Sequence, residues 1–377
     1  HNEGQFEDCE AISGEVLYDT ILKERDTCYA CVVRCKRVVE VKDGAYPVDP
    51  VYGGPEYETL GTFGSYCGVS NLNAVSLANQ ICNEQGVDTI AAGATIAFAM
   101  ECYEKGIIGK AQTDGIDLRF GDADAMLAAL AKIVKVEGAL GAVLAQGSAK
   151  AAKVWGPAAE ECLITVKGGE APAHMPQAKK SLAVIYAVNP FGADHQSSEH
   201  DPMYEGESAP LYLERLADLD LTTPPEAGSL GPEKVRFAAL THIFYSLLDT
   251  LELCQFVWGP AWTLYGPKEI VELVQSVTGW NVTLAELMKV GERRLNMLRA
   301  FNAREGFDRK EDVLPKKFFK ELKGTGPTAG TAIDPVEFET ALDHYYQNVG
   351  WTPQGLPTQA KMAELGLDWA AEGLPVG

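Results

Sequence analysis

Three cysteines fall within eleven residues, at Cys28, Cys31 and Cys35 of "TCYACVVRCKR", with Lys36 and Arg37 directly behind the third. Thiolates are soft donors, so this C-x2-C-x3-C run suits a soft metal or a cluster rather than calcium or magnesium. On a helix over residues 26–36 the three would lie at i, i+3 and i+7, on one face. Structural zinc takes four tetrahedral ligands, usually as two C-x-x-C-like pairs, and a second pair is missing. A [4Fe–4S] cluster takes four thiolates, commonly three together and one remote, which fits better. The remote candidates are Cys9, Cys67, Cys82, Cys102, Cys162 and Cys254. Cys254 follows a long apolar helical run and precedes Phe256 and Trp258, a dry setting that suits a cluster.

The other polar features say little singly. "GPEYET" places Glu56 and Glu58 after a Gly-Pro turn, and His195, one of six histidines, sits in the unpatterned "NPFGADHQSSEH". "NEQGVD" (83–88) and "DTLELC" (249–254) read as helix ends. There is no G-x-G-x-x-G with an acidic ribose ligand, no P-loop and no H-E-x-x-H. The glycines of "GALGAVLAQG" follow no strand, so they read as helix packing.

Helices must position these residues. Apolar residues recur at three- and four-residue steps over 14–37, 71–84, 89–105, 122–135, 140–155, 232–255 and 283–305. Asp122 is placed as an N-cap, and Thr283 with Glu286 three residues on makes a capping box. Strand alternation is scarce, "RVVEVKDGAYPV" being a short hairpin closed by Asp43-Gly44. The chain therefore reads as mainly α: two helical domains, 1–170 and 171–377, with a short β-hairpin near the N-terminus. The Gly/Pro-rich stretch 166–176 is the junction. The irregular stretch 189–210 is a candidate functional loop.

Composition narrows the partners. The 377 residues are 46% hydrophobic and 23% charged, with a formal charge of −21. A field of that sign repels nucleic acid and anionic lipid, so neither is expected. The basic groups at Arg34, Lys36 and Arg37 and at Lys316, Lys317 and Lys320 read as solvated helix surface. The apolar runs 89–100 and 238–258 are broken or flanked by charge and read as buried helices, not membrane spans. An odd number of unevenly spaced cysteines and no secretory signal point to a reducing cytoplasm.

Together, "CYACVVRC", "GGPEYETLGTFGSYCGVSNLNAVSLANQICNEQGVDTIAAG", "GADH", "LLDTLELC" and "GWTPQGLPTQAKMAELGLD" resemble the aldehyde ferredoxin oxidoreductase family of tungsten- or molybdenum-pterin enzymes. The resemblance covers nearly the whole chain. It implies that Cys28, Cys31, Cys35 and the remote Cys254 hold a [4Fe–4S] cluster, and that two D-x-x-G-L-(C/D) segments bind a bis-pterin. Those segments correspond to Asn83, Gly86 and Asp88, and to Asp249, Leu253 and Cys254. Both depart from the pattern: Asn83 replaces an aspartate and Glu252 a glycine. The family's active-site glutamate matches Glu58, with Glu56 as the alternative, and its histidine matches His195.

The implied reaction is oxidation of a small aldehyde to a carboxylic acid, with electrons leaving through the cluster to ferredoxin or a similar acceptor. Family members begin with a largely β domain that this sequence lacks, so that domain is expected in cis or in trans; a homodimer is a further possibility. A different class of protein, an iron–sulfur electron carrier or scaffold that has lost the pterin, is the alternative, and structural zinc is the third.

Overall fold

A computed structural model of the chain describes residues 1–205, 209–262 and 264–374. It is mainly α, and among the described residues the only sheets are two antiparallel strand pairs. The chain divides into two compact units, His1–His174 with Pro315–Thr331, and Met175–Leu314 with Ala332–Gly377. Among the described residues, no helix is long and apolar enough to cross a membrane.

In the first unit the helices Leu72–Gln85, Thr89–Glu104 and Ala123–Lys135 each start on a side chain that accepts from one of the first-turn backbone N–H groups that have no partner within the helix. Asn71 takes Ala74 N (3.1 Å), Asp88 takes Ala91 N (2.6 Å) and Asp122 takes Ala125 N (2.9 Å). Their core includes Phe63, Val75, Ile96, Met100 and Leu130. Thr89–Glu104 is buried on nearly every face, as its all-round apolar sequence requires. The expected helix over 140–155 is two helices, Gly138–Leu144 and Ser148–Trp155. Gly147 separates them at φ 85, and the restarted helix is held by Glu170, which accepts from Ser148 N and Oγ at 2.8 Å each.

The N-terminal expectation needs a larger correction. The helix stops at Thr20, and residues 22–39 form a hairpin, β1 (Leu22–Asp26) against β2 (Lys36–Val39). The β-branched pair Val38-Val39 decides it: Val39 is fully buried with Ile12, Leu17, Ile21, Val48 and Leu72, and a helix through 37 would withdraw it from that cluster. The turn at Asp43-Gly44 does form, closed by the mutual Val41–Val48 backbone bonds, but Arg37 and Val38 pair with β1 instead. Lys317 is not solvated either. It is buried and ion-paired with Glu101.

The second unit is built on Ser181–Val188, buried throughout, with Pro232–Thr250, Leu284–Arg304 and Pro335–Val349. Thr283 and Glu286 form the expected capping box. At Gly291 a side chain would collide with the Ile243 carbonyl, so glycine lets two of these helices approach closely, and Ser246 Oγ donates to Gly291 O at 2.8 Å. Two buried ion pairs fix the loops. Arg299 meets Asp312 in a two-pronged contact (2.8 and 2.7 Å), and Lys234 meets Asp201 at 2.6 Å. The expected helix 232–255 ends at Thr250, with a separate turn at Gln255–Trp258.

Candidate functional site

The three clustered cysteines lie in the loop between β1 and β2, not on a helical face. The loop is wound by its own backbone: Cys31 N donates to Cys28 O (3.1 Å), and Ala30 and Arg34 take left-handed φ of 54° and 51°. Basic side chains brace it from behind, Arg34 donating to Arg25 O (2.6 Å) and Arg37 to Cys35 O (2.9 Å). Cys28 is exposed and Cys31 and Cys35 are half-buried; none of the nine cysteines is in a disulfide. A curled loop presenting three thiols is a soft-ligand cup that no hydrophobic core accounts for. Tyr29 and Val32, at its tip, are 101% and 77% exposed.

The two helix-end segments are conformational twins. Leu72–Gln85 ends in Gly86, left-handed at φ 68, and Val87 N reaches back to Cys82 O at 2.9 Å. Pro232–Thr250 runs out to Glu252, left-handed at φ 55, and Leu253 N reaches back to Leu248 O at 2.9 Å. Both are Schellman-type endings. Each then starts a new helix from its last residue, Asp88 before Thr89–Glu104 and Cys254 before Gln255–Trp258. Glu252 thus holds the conformation that a glycine takes in the first segment. Asn83, Gly86 and Asp88 are exposed, with Asn83 Nδ2 donating to Asn79 O (3.0 Å). Asp249 pairs with Arg294 at 3.1 Å.

Of the two glutamates in "PEYET", Glu56 is a solvated N-cap 3.6 Å from Arg37, whereas Glu58 is buried. Glu58 Oε2 accepts from Ala173 N (2.7 Å), and its Oε1 lies 3.4 Å from His174 Nε2. His174 stacks on Tyr57, with ring centroids 5.0 Å apart. Glu58 leads into an unusually wide π-helical turn, Leu60–Tyr66. Such turns are rare and frequent at functional sites. Thr62 there packs against Gly93, where a Cβ would come within 2.7 Å of the Thr62 Cβ. His174 was not singled out by the sequence; only its place in the 166–176 junction pointed near it.

In the second unit a cavity of about 410 Å³ is lined by Asp249, Leu253 and Cys254 together with Asp194, Gln196 and Tyr245, among others. The second helix-end segment and the "GADHQ" loop, 55 positions apart in the spacing of Asp194 to Asp249, therefore converge on one space. Cys254 is exposed, a correction to the dry setting expected from Phe256 and Trp258; Phe256 packs instead edge-on to Trp262 at 4.9 Å. His195 lies just behind the lining, buried, its Nε2 2.6 Å from Gln196 Nε2 and its Nδ1 4.0 Å from Asp194 Oδ1. Burial pulls its pKa down to about 4, so the ring is neutral near pH 7. His200 supports it by holding His195 O at 3.0 Å from its Nε2. Residues 206–208 of the expected 189–210 loop lie outside the described ones. Gln196, His200 and Tyr245 were missed from sequence, since a glutamine in a loop and a tyrosine in an apolar helix carry no spacing signal.

Comparison with known proteins follows the same pattern. The chain matches a family model described as "Aldehyde ferredoxin oxidoreductase, domains 2 & 3" over residues 1–367. It is 32% identical to a tungsten-containing aldehyde ferredoxin oxidoreductase of Pyrococcus furiosus, over 94% of this chain and 54% of that protein. It is 31% identical to the enzyme of that description from Thermococcus kodakarensis, over 97% of this chain and 56% of the relative. The chain thus spans about half the length of the curated relatives it matches. In fold it is similar to a solved structure titled as the active site complex BamBC of benzoyl coenzyme A reductase with 1,5 dienoyl-CoA. The TM-score is 0.70 at 20% identity, covering 95% of this chain and 55% of that one. With a family match running almost end to end, the chain belongs to the aldehyde ferredoxin oxidoreductase family.

Proposed function

We propose that this chain is the helical part of a tungsten- or molybdenum-pterin oxidoreductase that oxidises a small aldehyde to its carboxylic acid and passes the electrons through a [4Fe–4S] cluster to ferredoxin or a similar acceptor. The observation that carries this reading is the cavity that gathers Asp249, Leu253 and Cys254 beside the "GADHQ" loop. The donor chemistry fits the groups proposed. Thiols outside disulfides on a curled loop suit a cluster, and a left-handed helix end followed by an aspartate or cysteine offers a pterin both backbone and side-chain hydrogen bonds.

Cys28, Cys31, Cys35 and Cys254 would hold the cluster. Asn83, Gly86 and Asp88, and Asp249 and Leu253, would hold the pterins. The metal–pterin supplies the two-electron redox centre when bound. The chain's own residues bind and move protons. His195, neutral, donates a hydrogen bond to the carbonyl oxygen of the aldehyde rather than a proton. Glu58, fixed through Ala173 N, takes a proton from the attacking water. Lys36 and Arg37 behind the cysteine loop offer local positive charge to an acidic electron acceptor in an otherwise acidic molecule.

The test is aldehyde-dependent reduction of a viologen dye by the assembled, cofactor-loaded enzyme. Glu58→Gln and His195→Ala should each lower kcat by roughly 10²- to 10⁴-fold while metal content is unchanged. Wild-type turnover in either variant would remove these roles.

A further inference from the structure

Behind the cavity wall lies a carboxyl group that the reaction above does not use. Tyr245, on Pro232–Thr250, lines the cavity, and its hydroxyl donates to Glu199 Oε1 at 2.8 Å. The same hydroxyl accepts from Trp262 Nε1 at 2.9 Å, which fixes the direction of its proton toward the carboxyl. Glu199 is fully buried. Its other oxygen, Oε2, and the hydroxyl of nearby Tyr204 are both buried, and neither completes a hydrogen bond of good geometry.

The groups that hydrogen-bond toward Glu199 are polar and uncharged. They are Tyr245 from the long helix, Tyr204 from the 201–204 turn, and the backbone N–H groups of His200 and Ala261. The two ionisable residues that follow it in the chain have partners elsewhere. Asp201 takes Lys234 and Ser181, and the His200 Nδ1 lies 3.4 Å from Lys179 Nζ. A buried carboxyl faced by phenols rather than by a cation favours its protonated form, and burial pushes Glu199 up to about 7. A protonated carboxyl also carries a donor, which a carboxylate lacks.

We propose that Glu199 is a buried proton store for the cavity, exchanging protons with it through the Tyr245 hydroxyl. In the uptake direction a donor in the cavity, a water or a group on the substrate, gives a proton to the Tyr245 oxygen. As that O–H bond forms, the original Tyr245 O–H breaks and its proton bonds to Glu199 Oε1. Tyr245 is unchanged and one proton has moved from the cavity to the carboxylate; release runs in reverse. No oxidant or reductant is involved. Its use in turnover rests on the aldehyde-oxidation reading, because converting an aldehyde and water to an acid frees two protons with two electrons. The exchange itself does not depend on that reading. Glu199 acts through Tyr245 and is a positioning and storage group, not a group that touches substrate.

The experiment is infrared difference spectroscopy on the full chain, comparing wild type with Glu199→Gln and Tyr245→Phe, each checked for native helix content by circular dichroism. Wild type should show a protonated-carboxyl C=O band that fades with a midpoint near pH 7 and is missing in Glu199→Gln. In Tyr245→Phe the band should remain, but its shift on transfer to D₂O should be slowed by roughly tenfold or more, since the relay hydroxyl is gone. A wild-type protein with no such band between about pH 5 and about pH 9, or an unchanged deuterium exchange rate in Tyr245→Phe, would overturn the proposal. If the band and its exchange behave as stated while the loaded enzyme ignores aldehydes, the functional reading fails and the proton store stands.

Discussion

Replacing Glu252 by glycine should stabilise the protein, although glycine is ordinarily a weakening substitution. Glu252 is exposed and sits at φ 55, in the left-handed region, where a Cβ-bearing residue loses about 1–2 kcal/mol relative to its preferred backbone states. Glycine removes that strain and gives back about 0.5–1 kcal/mol through its greater freedom in the unfolded chain. The net gain is about 0–1.5 kcal/mol, centred on about 0.75, which for a unit of this size raises Tm by roughly 2–3 °C at the centre of that range. Differential scanning calorimetry on wild type, Glu252→Gly and Glu252→Ala measures it. Alanine removes the charge and keeps the strain, so it should bring no comparable gain. Equal gains from glycine and alanine would mean that charge, not backbone conformation, is the source. A Tm lowered by Glu252→Gly would refute the twin-segment account outright.

Arg299→Ala should cost about 3–5 kcal/mol in chemical denaturation, because it strands the fully buried Asp312 that also accepts from Tyr346 at 2.6 Å; a cost under 1 kcal/mol would show that the contact is not formed. His200 is held down to about 3 by burial first and then by the Lys179 charge, below its ordinary 6.5. The unfolded chain therefore binds more protons than the native one below about pH 6.5, and stability should fall as pH drops from there toward about 3. His200→Gln should flatten part of that acid limb in pH-dependent unfolding, and an unaltered limb would contradict it.

The helical architecture was legible because capping residues and apolar periodicity agree at Asp122 and Thr283, each of which caps the helix its position suggests; the caps at Asn71 and Asp88 emerged only from the structure. The cysteine loop was not. Spacing at i, i+3 and i+7 mimics a helical face, and only the burial of Val39 against Ile12 and Leu17, a long-range fact, selects the hairpin. Glu252 looked like a break in its motif, since side-chain identity does not reveal φ. The site residues expected from the sequence, the cysteines, Glu58 and His195, came from cysteine spacing and from the family resemblance. Tyr245, Glu199 and His174 matter through what the fold places against them, and each is unremarkable in its own stretch of sequence.

The central proposal is that Cys28, Cys31, Cys35 and Cys254 are all cluster ligands. Iron and acid-labile sulfide per chain, measured on the assembled enzyme purified without oxygen, test it most directly. The account predicts about four of each, with loss of both in Cys254→Ala. Zinc in their place, or iron and sulfide undiminished in Cys254→Ala, would contradict it.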